Sequence, residues 1–379
     1  MRTRAIVLVL LLIVALGAQA ANVTVPTFQL LTRGSLQGGL FVLQTQADID
    51  IRFGGGYKFG GELGLSIDTD NLEEPTSPDA AYDQDVISAA LRERLGLSTA
   101  NVVIRDVFGS PVSLRYFIGE YDRLLTGDIF PVQFGTELVA TDFRGLLAFP
   151  DGTVYNGVHV FDGTGVSVVV PSLVPWLYLE GAFYQDAHLG PGYYSADARA
   201  AFNTPGLKVE AFVGSSFPQA AYGVYRGGVL LLYDTGEGGE FFSQIGVPRW
   251  APVTDGALNI DDFYFLFEPR VHIGIVSIVL TLFSHPEYYL QSPTNERSAT
   301  DIAVKLIAGD VRENTISGGL ENAIRLRPTS TDDQLRVSVS PFLTLNSSGV
   351  IWDFKAAFNV FPFEPAELFE AYVGVRTQF

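Results

Sequence analysis

The chain has no cysteine, one methionine and four histidines among its 379 residues. Without cysteine there are no disulfide staples, no thiolate nucleophile and no lipidated N-terminal cysteine, so a large framework must hold an exported fold together. The histidines (His159, His188, His272 and His285) show no H-E-x-x-H or paired metal spacing, and no G-x-S-x-G elbow occurs. His188 near Asp186 and His285 near Glu287 read as solvated pairs, so no catalytic residue is assigned and no enzyme is expected. The acidic run Asp68, Asp70, Glu73 and Glu74 lacks the glycine and the spaced final acid of an EF-hand. It reads as a solvated loop, and neither metal nor cofactor is expected. Charge is sparse at 17% and lopsided, with 24 Lys+Arg against 42 Asp+Glu. That acidity, with no basic patch, excludes nucleic acid as a partner. Beyond residue 20 there is no run of about 20 apolar residues, so no membrane-spanning helix is expected.

The first twenty residues have the grammar of an export signal. Arg2 and Arg4 precede an unbroken apolar stretch over residues 5–16, and Ala18-Gln19-Ala20 forms an A-x-A site, so cleavage is expected after Ala20. Downstream, the dominant pattern is alternation with period two, in runs of about 10–14 residues bounded by turn residues. Phe41, Leu43, Ala47, Ile49, Ile51 and Phe53 alternate with Gln44, Gln46, Asp48, Asp50 and Arg52. After Gly54-Gly55-Gly56, the return run sends Tyr57, Phe59, Leu63, Leu65 and Ile67 one way and Lys58, Glu62, Ser66 and Asp68 the other. The same reading holds over residues 335–345, 350–359 and 369–379.

Runs of this length are about twice the usual strand of a soluble sandwich, and aromatics sit near their ends. Both features fit strands that cross a bilayer, with lipid-facing apolar residues and a polar lumen. The expected fold is therefore all-β, a transmembrane antiparallel up-and-down β-barrel of about 16–18 strands with one short helical segment. Walking back from Phe379, short connections fall at one end and long ones at the other. The exception is 71–98, where Val86, Ile87, Ala90, Leu91 and Leu95 have helical spacing. This stretch is expected to be a helical insert, placed by the strand count at the short-turn end.

The end of the chain, Tyr372-Val-Gly374-Val-Arg-Thr-Gln-Phe379, resembles the assembly signal of bacterial outer-membrane β-barrel proteins. The match lies in Val373, Gly374, Val375 and the terminal Phe379, while Thr377 departs from the preferred apolar residue. The resemblance covers the final strand and the general barrel pattern. It implies insertion in the bacterial outer membrane, with the membrane lipid and the barrel-assembly machinery as partners. Porin-like function follows as the leading expectation: a channel for passive diffusion of small hydrophilic solutes. The expected layout is a leader over 1–20, a short N-terminal segment over 21–35, and a barrel over 36–379. Residues expected to line the pore are Asp48, Asp50, Arg52, Lys58, Glu62, Lys208, Glu210, Arg226, Glu321, Arg325, Arg336, Asp353, Lys355, Glu370 and Arg376. Two alternatives remain at this stage. One is a transporter for hydrophobic molecules resembling the fatty-acid barrels, suggested by the apolar stretch 271–283 and by Phe28-Gln29-Leu30-Leu31. The other is a structural or adhesive surface barrel.

Overall fold

The computed structural model describes residues 22–37, 40–54, 58–68, 95–136, 157–189, 191–218, 223–289, 292–293, 299–309, 315–327, 334–347, 349–363 and 368–378. The expected leader over 1–20, most of 71–98 and Phe379 lie outside them.

Eighteen antiparallel strands form one sheet. The first nine are β1 (Asn22–Gln37), β2 (Leu40–Gly54), β3 (Phe59–Asp68), β4 (Leu95–Ile104), β5 (Ser113–Leu124), β6 (His159–Val174), β7 (Leu177–Asp186), β8 (Tyr193–Thr204) and β9 (Leu207–Pro218). The sheet continues through β10 (Val224–Asp234), β11 (Gly239–Trp250), β12 (Tyr264–Ile273) and β13 (Val276–His285). A small hairpin, β14 (Tyr288–Tyr289) and β15 (Ser292–Pro293), stands outside the sheet. Then come β16 (Ala299–Ala308), β17 (Ile316–Leu326), β18 (Leu335–Ser347), β19 (Val350–Phe361) and β20 (Phe369–Gln378). Each strand of the sheet pairs with its sequence neighbour, and β1 also pairs with β20, with Leu30 opposite Val375. This last ladder returns the sheet to its start, so β1 and β20 present no unpaired edge.

Burial along each strand is inverted relative to a soluble protein. On β7, Tyr178, Glu180, Ala182, Tyr184 and Asp186 are buried, while Phe183 is 54% exposed. On β9, Lys208 and Glu210 are buried and Val213 is 66% exposed. A continuous exposed apolar face requires an apolar neighbour, and polar side chains on the opposite face require an enclosed interior. Exposed aromatics collect near both ends of the strands: Phe59, Trp176, Phe202 and Tyr233 at one end, Phe183, Tyr194, Phe217 and Tyr225 at the other. Trp176 stacks on Phe202 and Phe183 on Tyr194, with ring centroids 6.1 and 5.7 Å apart. Two aromatic girdles are the pattern that membrane interfaces select.

The structure revises three expectations. Residues 22–37 are strand β1, and the segment expected ahead of the barrel is its closing partner; the Phe28–Leu31 stretch therefore belongs to the wall. Residues 95–98 open strand β4, and the rest of the helical insert lies outside the described residues. Five strands, β4 to β8, separate residue 94 from the tight turn at 205–206. That odd number puts connection 69–94 at the end holding the other long connections, where the sequence count had placed it at the opposite end. Third, Lys58 is exposed in the short connection between β2 and β3 and is not on a strand.

Candidate luminal site

What enters the lumen among the described residues is the segment that follows β5. Leu125 takes a left-handed conformation (φ 61°), which turns the chain off the strand. A short helix, α1 (Ile129–Phe134), follows and ends at Gly135 (φ 61°), whose N–H bonds the Pro131 carbonyl. The chain returns through Gly157 (φ 88°), where a Cβ would lie 2.3 Å from the Leu124 carbonyl oxygen. Glycine is required there for both reasons. Val158 N–H then bonds Leu124 O at 3.0 Å, closing the base of the insert.

The insert is held across the barrel. Glu210 on β9 accepts the N–H of Leu125 at 2.9 Å and that of Gly127 at 3.3 Å. Gln244 on β11 donates to Leu125 O, and its own oxygen accepts from the Tyr264 hydroxyl at 2.5 Å. Asn203 at the end of β8 donates to Thr136 at 2.8 Å. Gly228 on β10 leaves room for Leu125; a Cβ there would be 2.8 Å from the leucine side chain. Leu124, Leu125, Ile129 and Phe130 pack into one buried cluster with inward residues of β5 to β13, including Phe117, Phe161, Tyr184, Phe242 and Phe283. Burial of each such side chain stabilises by about 1.5–3 kcal/mol. Phe283, from the apolar stretch 271–283, joins this cluster.

Beneath the insert, charges form compensated networks. Arg199 bonds Asp122 at 2.9 Å and lies 3.7 and 3.8 Å from Glu180 and Glu210. Glu180 also accepts from the Tyr121 and Tyr178 hydroxyls, each at 2.9 Å. Arg226 holds Asp197 through Nε at 2.7 Å and Nη2 at 2.6 Å, and reaches Ser216 at 2.6 Å. Tyr184 donates to Asp197 at 3.0 Å, and His159 lies 3.0 Å from the Tyr184 hydroxyl. Such charges are tolerated inside because each is paired and hydrogen-bonded.

The wall from β16 through β20 to β4 carries most of the other sequence-expected positions. Glu321 is buried between Lys355 at 2.9 Å and Lys305 at 3.5 Å. Asp353 is buried and accepts from Thr344 at 2.8 Å; Glu370 accepts from Tyr372. Arg325 stands directly opposite Arg336 in the ladder, both half-buried. Arg52 and Glu62 are cross-strand partners at 3.2 Å, and Asp50 is half-buried on the same wall. Asp48 and Arg376 have defined register positions, opposite Ser66 and Gln29, but their side chains lie outside the described residues. Lys208 is buried. Val373, Gly374 and Val375 lie within β20.

Asp122, Glu180, Asp197, Arg199, Gln244, Glu268, Arg270 and Lys305 belong to the same interior and were not singled out from the sequence. For Glu180, Asp197 and Arg199 a signal was present, since each alternates with small or apolar residues. The insert at 125–136 gave none.

Outside the spanning strands, His188 lies 2.8 Å from Asp162, and this hydrogen bond raises its pKa above the ordinary histidine value against the opposing effect of partial burial.

No protein-family model matches the sequence, and no curated protein matches it. Solved structures do match in fold. Wzi of Escherichia coli, an outer-membrane protein involved in group 1 capsule assembly and a carbohydrate-binding β-barrel, aligns with a TM-score of 0.53 at 10% identity. The alignment covers 96% of this chain and 86% of that one. A BenF-like porin from Pseudomonas fluorescens aligns at 0.53 and 8% identity, over 95% of this chain and 99% of that one. The outer-membrane protein opdK of Pseudomonas aeruginosa aligns at 0.52 and 13%, over 94% and 99%. At these identities the likeness is one of fold: this chain has the architecture of outer-membrane β-barrels.

Proposed function

We propose that this chain is an outer-membrane channel through which small hydrophilic solutes diffuse passively, filtered by the charged wall of its lumen. The observation that carries the reading is the inverted burial of the paired ring, with carboxylates and guanidinium groups inside and valines and aromatics outside. The insert and its apolar cluster occupy the side bounded by β5 to β13. Passage runs between that insert and the wall from β16 through β20 to β4, lined by Asp48, Asp50, Arg52, Glu62, Arg325, Arg336, Glu370 and Arg376, with Glu321, Lys355 and Asp353 covered behind them and satisfied within the wall. Lys208, Glu210 and Arg226 instead fix the packed side. Paired charges around a water-filled path tune selectivity by local field rather than by net charge.

The leader over 1–20 directs export, and the end with short connections faces the periplasm, as in barrels of this architecture. Before the ring closes, β20 offers an unpaired apolar edge that the assembly machinery recognises by strand addition. Neighbours named as porins support the channel reading over a structural or adhesive barrel. Planar-bilayer recording on the refolded protein tests it. Discrete ion-conducting steps are expected, and a correctly folded barrel that never conducts rules the channel out.

A further inference from the structure

At the short-connection mouth, on β11 to β13, three polar atoms converge with no hydrogen-bond partner among the described residues: Glu240 Oε2, Arg270 Nη1 and His272 Nε2. Glu240 Oε2 is 3.2 Å from His272 Nε2 and 3.6 Å from Arg270 Nη1, close but out of line for direct hydrogen bonds. Each side chain is anchored through a different atom. Arg270 is 1% exposed and gives Nε and Nη2 to Glu268, which also accepts from Thr281 at 2.8 Å. His272 Nδ1 is engaged by Ser277 Oγ at 2.7 Å, which leaves Nε2 beside the carboxylate with its hydrogen-bonding capacity unused. The ladder keeps this geometry, since His272 faces Ser277 across the β12–β13 hairpin and its backbone N–H bonds Gly238 O at 2.7 Å.

We propose that these three atoms form a seat for one hydroxyl group of a neutral polyhydroxylated solute, a sugar or a polyol. The donor and acceptor pattern decides the chemistry. A hydroxyl donates one hydrogen bond and accepts two, so it satisfies Glu240 while accepting from Arg270 and His272. An anion meets the Glu240 carboxylate, and a cation meets the Arg270 guanidinium; each carries a like-charge cost that the hydroxyl avoids. Because Arg270 and His272 are already fixed, little ordering is lost on binding. The three atoms themselves are covered, but the His272 side chain is 32% exposed and that of Glu240 17%, so both stand at the rim of the mouth and part to admit a hydroxyl.

The inference rests on the channel reading, since a solute seated at this mouth blocks current only if the lumen conducts. The test is current block in planar bilayers by glucose, sucrose and maltotriose, against polyethylene glycols of equal size methyl-capped at both ends, which carry no hydroxyl to donate to Glu240. Excess block by the sugars is expected. In Glu240→Ala and His272→Ala the apparent sugar dissociation constant should rise about tenfold, the loss of one charged hydrogen bond, with conductance in plain salt retained. His272→Gln, which keeps a donor, should recover part of the affinity. Sugar and glycol blocking equally, or block unchanged in the variants, overturns the proposal. A barrel that conducts nothing refutes the channel reading instead. Calorimetric titration of the same sugars into detergent-solubilised protein then decides the seat on its own, with absence of heat overturning it.

Discussion

Glu210 on β9 accepts the backbone N–H groups of Leu125 and Gly127, 85 and 83 residues away in sequence, so one wall carboxylate anchors the start of the luminal insert. Arg199 lies 3.8 Å from the same carboxylate and ties it to the network around Asp122 and Glu180. The insert is therefore fastened by a wall residue that the alternation of β9 already pointed inward.

Replacing Glu210 by alanine releases those two N–H groups inside the barrel and leaves Arg199 with fewer counter-charges. Hydrogen bonds to charged groups are worth about 1.5–3 kcal/mol each. Glu210→Ala should therefore lower the unfolding midpoint and make the open-channel current larger and noisier as the insert loosens. Glu210→Gln keeps an acceptor and should fall between the two. An unaltered current in Glu210→Ala would show that the insert does not bound the pore.

The Asp197–Arg226 pair gives a sharper contrast. Removing the guanidinium in Arg226→Ala strands a buried carboxylate, at a cost of about 3–5 kcal/mol. Removing both charges in Asp197→Asn with Arg226→Met should be milder than the single change. Urea unfolding in lipid vesicles, followed by tryptophan fluorescence, measures the ordering. A double variant worse than Arg226→Ala contradicts the assignment of the pair as mutual neutralisation.

At the loop end, the His188–Asp162 contact makes a pH prediction. The folded-state pKa of His188 is raised, so its ion pair contributes fully below the ordinary histidine value of about 6.5 and is lost as pH rises through the higher folded value. The β7–β8 connection should become more susceptible to protease above that range. Asp162→Asn should lower the His188 pKa and flatten the dependence, read by the histidine ring resonances. The effect is modest because the pair is partly exposed.

Much of this fold was legible because β2, β3 and β18 to β20 alternate with few interruptions, and a strand period of two leaves little else for such runs to be. Strand β1 was missed where Pro26, the adjacent Leu30 and Leu31, and Gly34 break that period; its strand character comes from pairing on both sides with β2 and β20. The count back from Phe379 also slipped by one strand between residues 205 and 94, which put the connection 69–94 at the opposite end. The insert was not readable at all. Leu124, Leu125, Ile129 and Phe130 form no periodic face of useful length, and they are buried by the walls of strands distant in sequence. The convergence of Glu240, Arg270 and His272 is equally a product of register, since residues 30 positions apart meet only once β11, β12 and β13 are aligned.

The assignment of inside and outside can be tested on one strand. Val213 and Glu210 lie on β9 three positions apart, on opposite faces, with Val213 66% exposed and Glu210 buried. If the exposed face meets hydrocarbon, an arginine there costs about 2–4 kcal/mol near the bilayer midplane and little near its edges. Val213→Arg should therefore reduce folding into vesicles, while Phe217→Arg, at the aromatic girdle, should fold nearly as well as the wild type. A soluble fold with the same burial would respond in the opposite sense, since a charge on an exposed valine site improves solubility. Assembly is read by heat-modifiable gel mobility, so the comparison needs no channel activity. Equal folding of Val213→Arg and wild type in vesicles would place that face in water and remove the membrane from the account of this barrel.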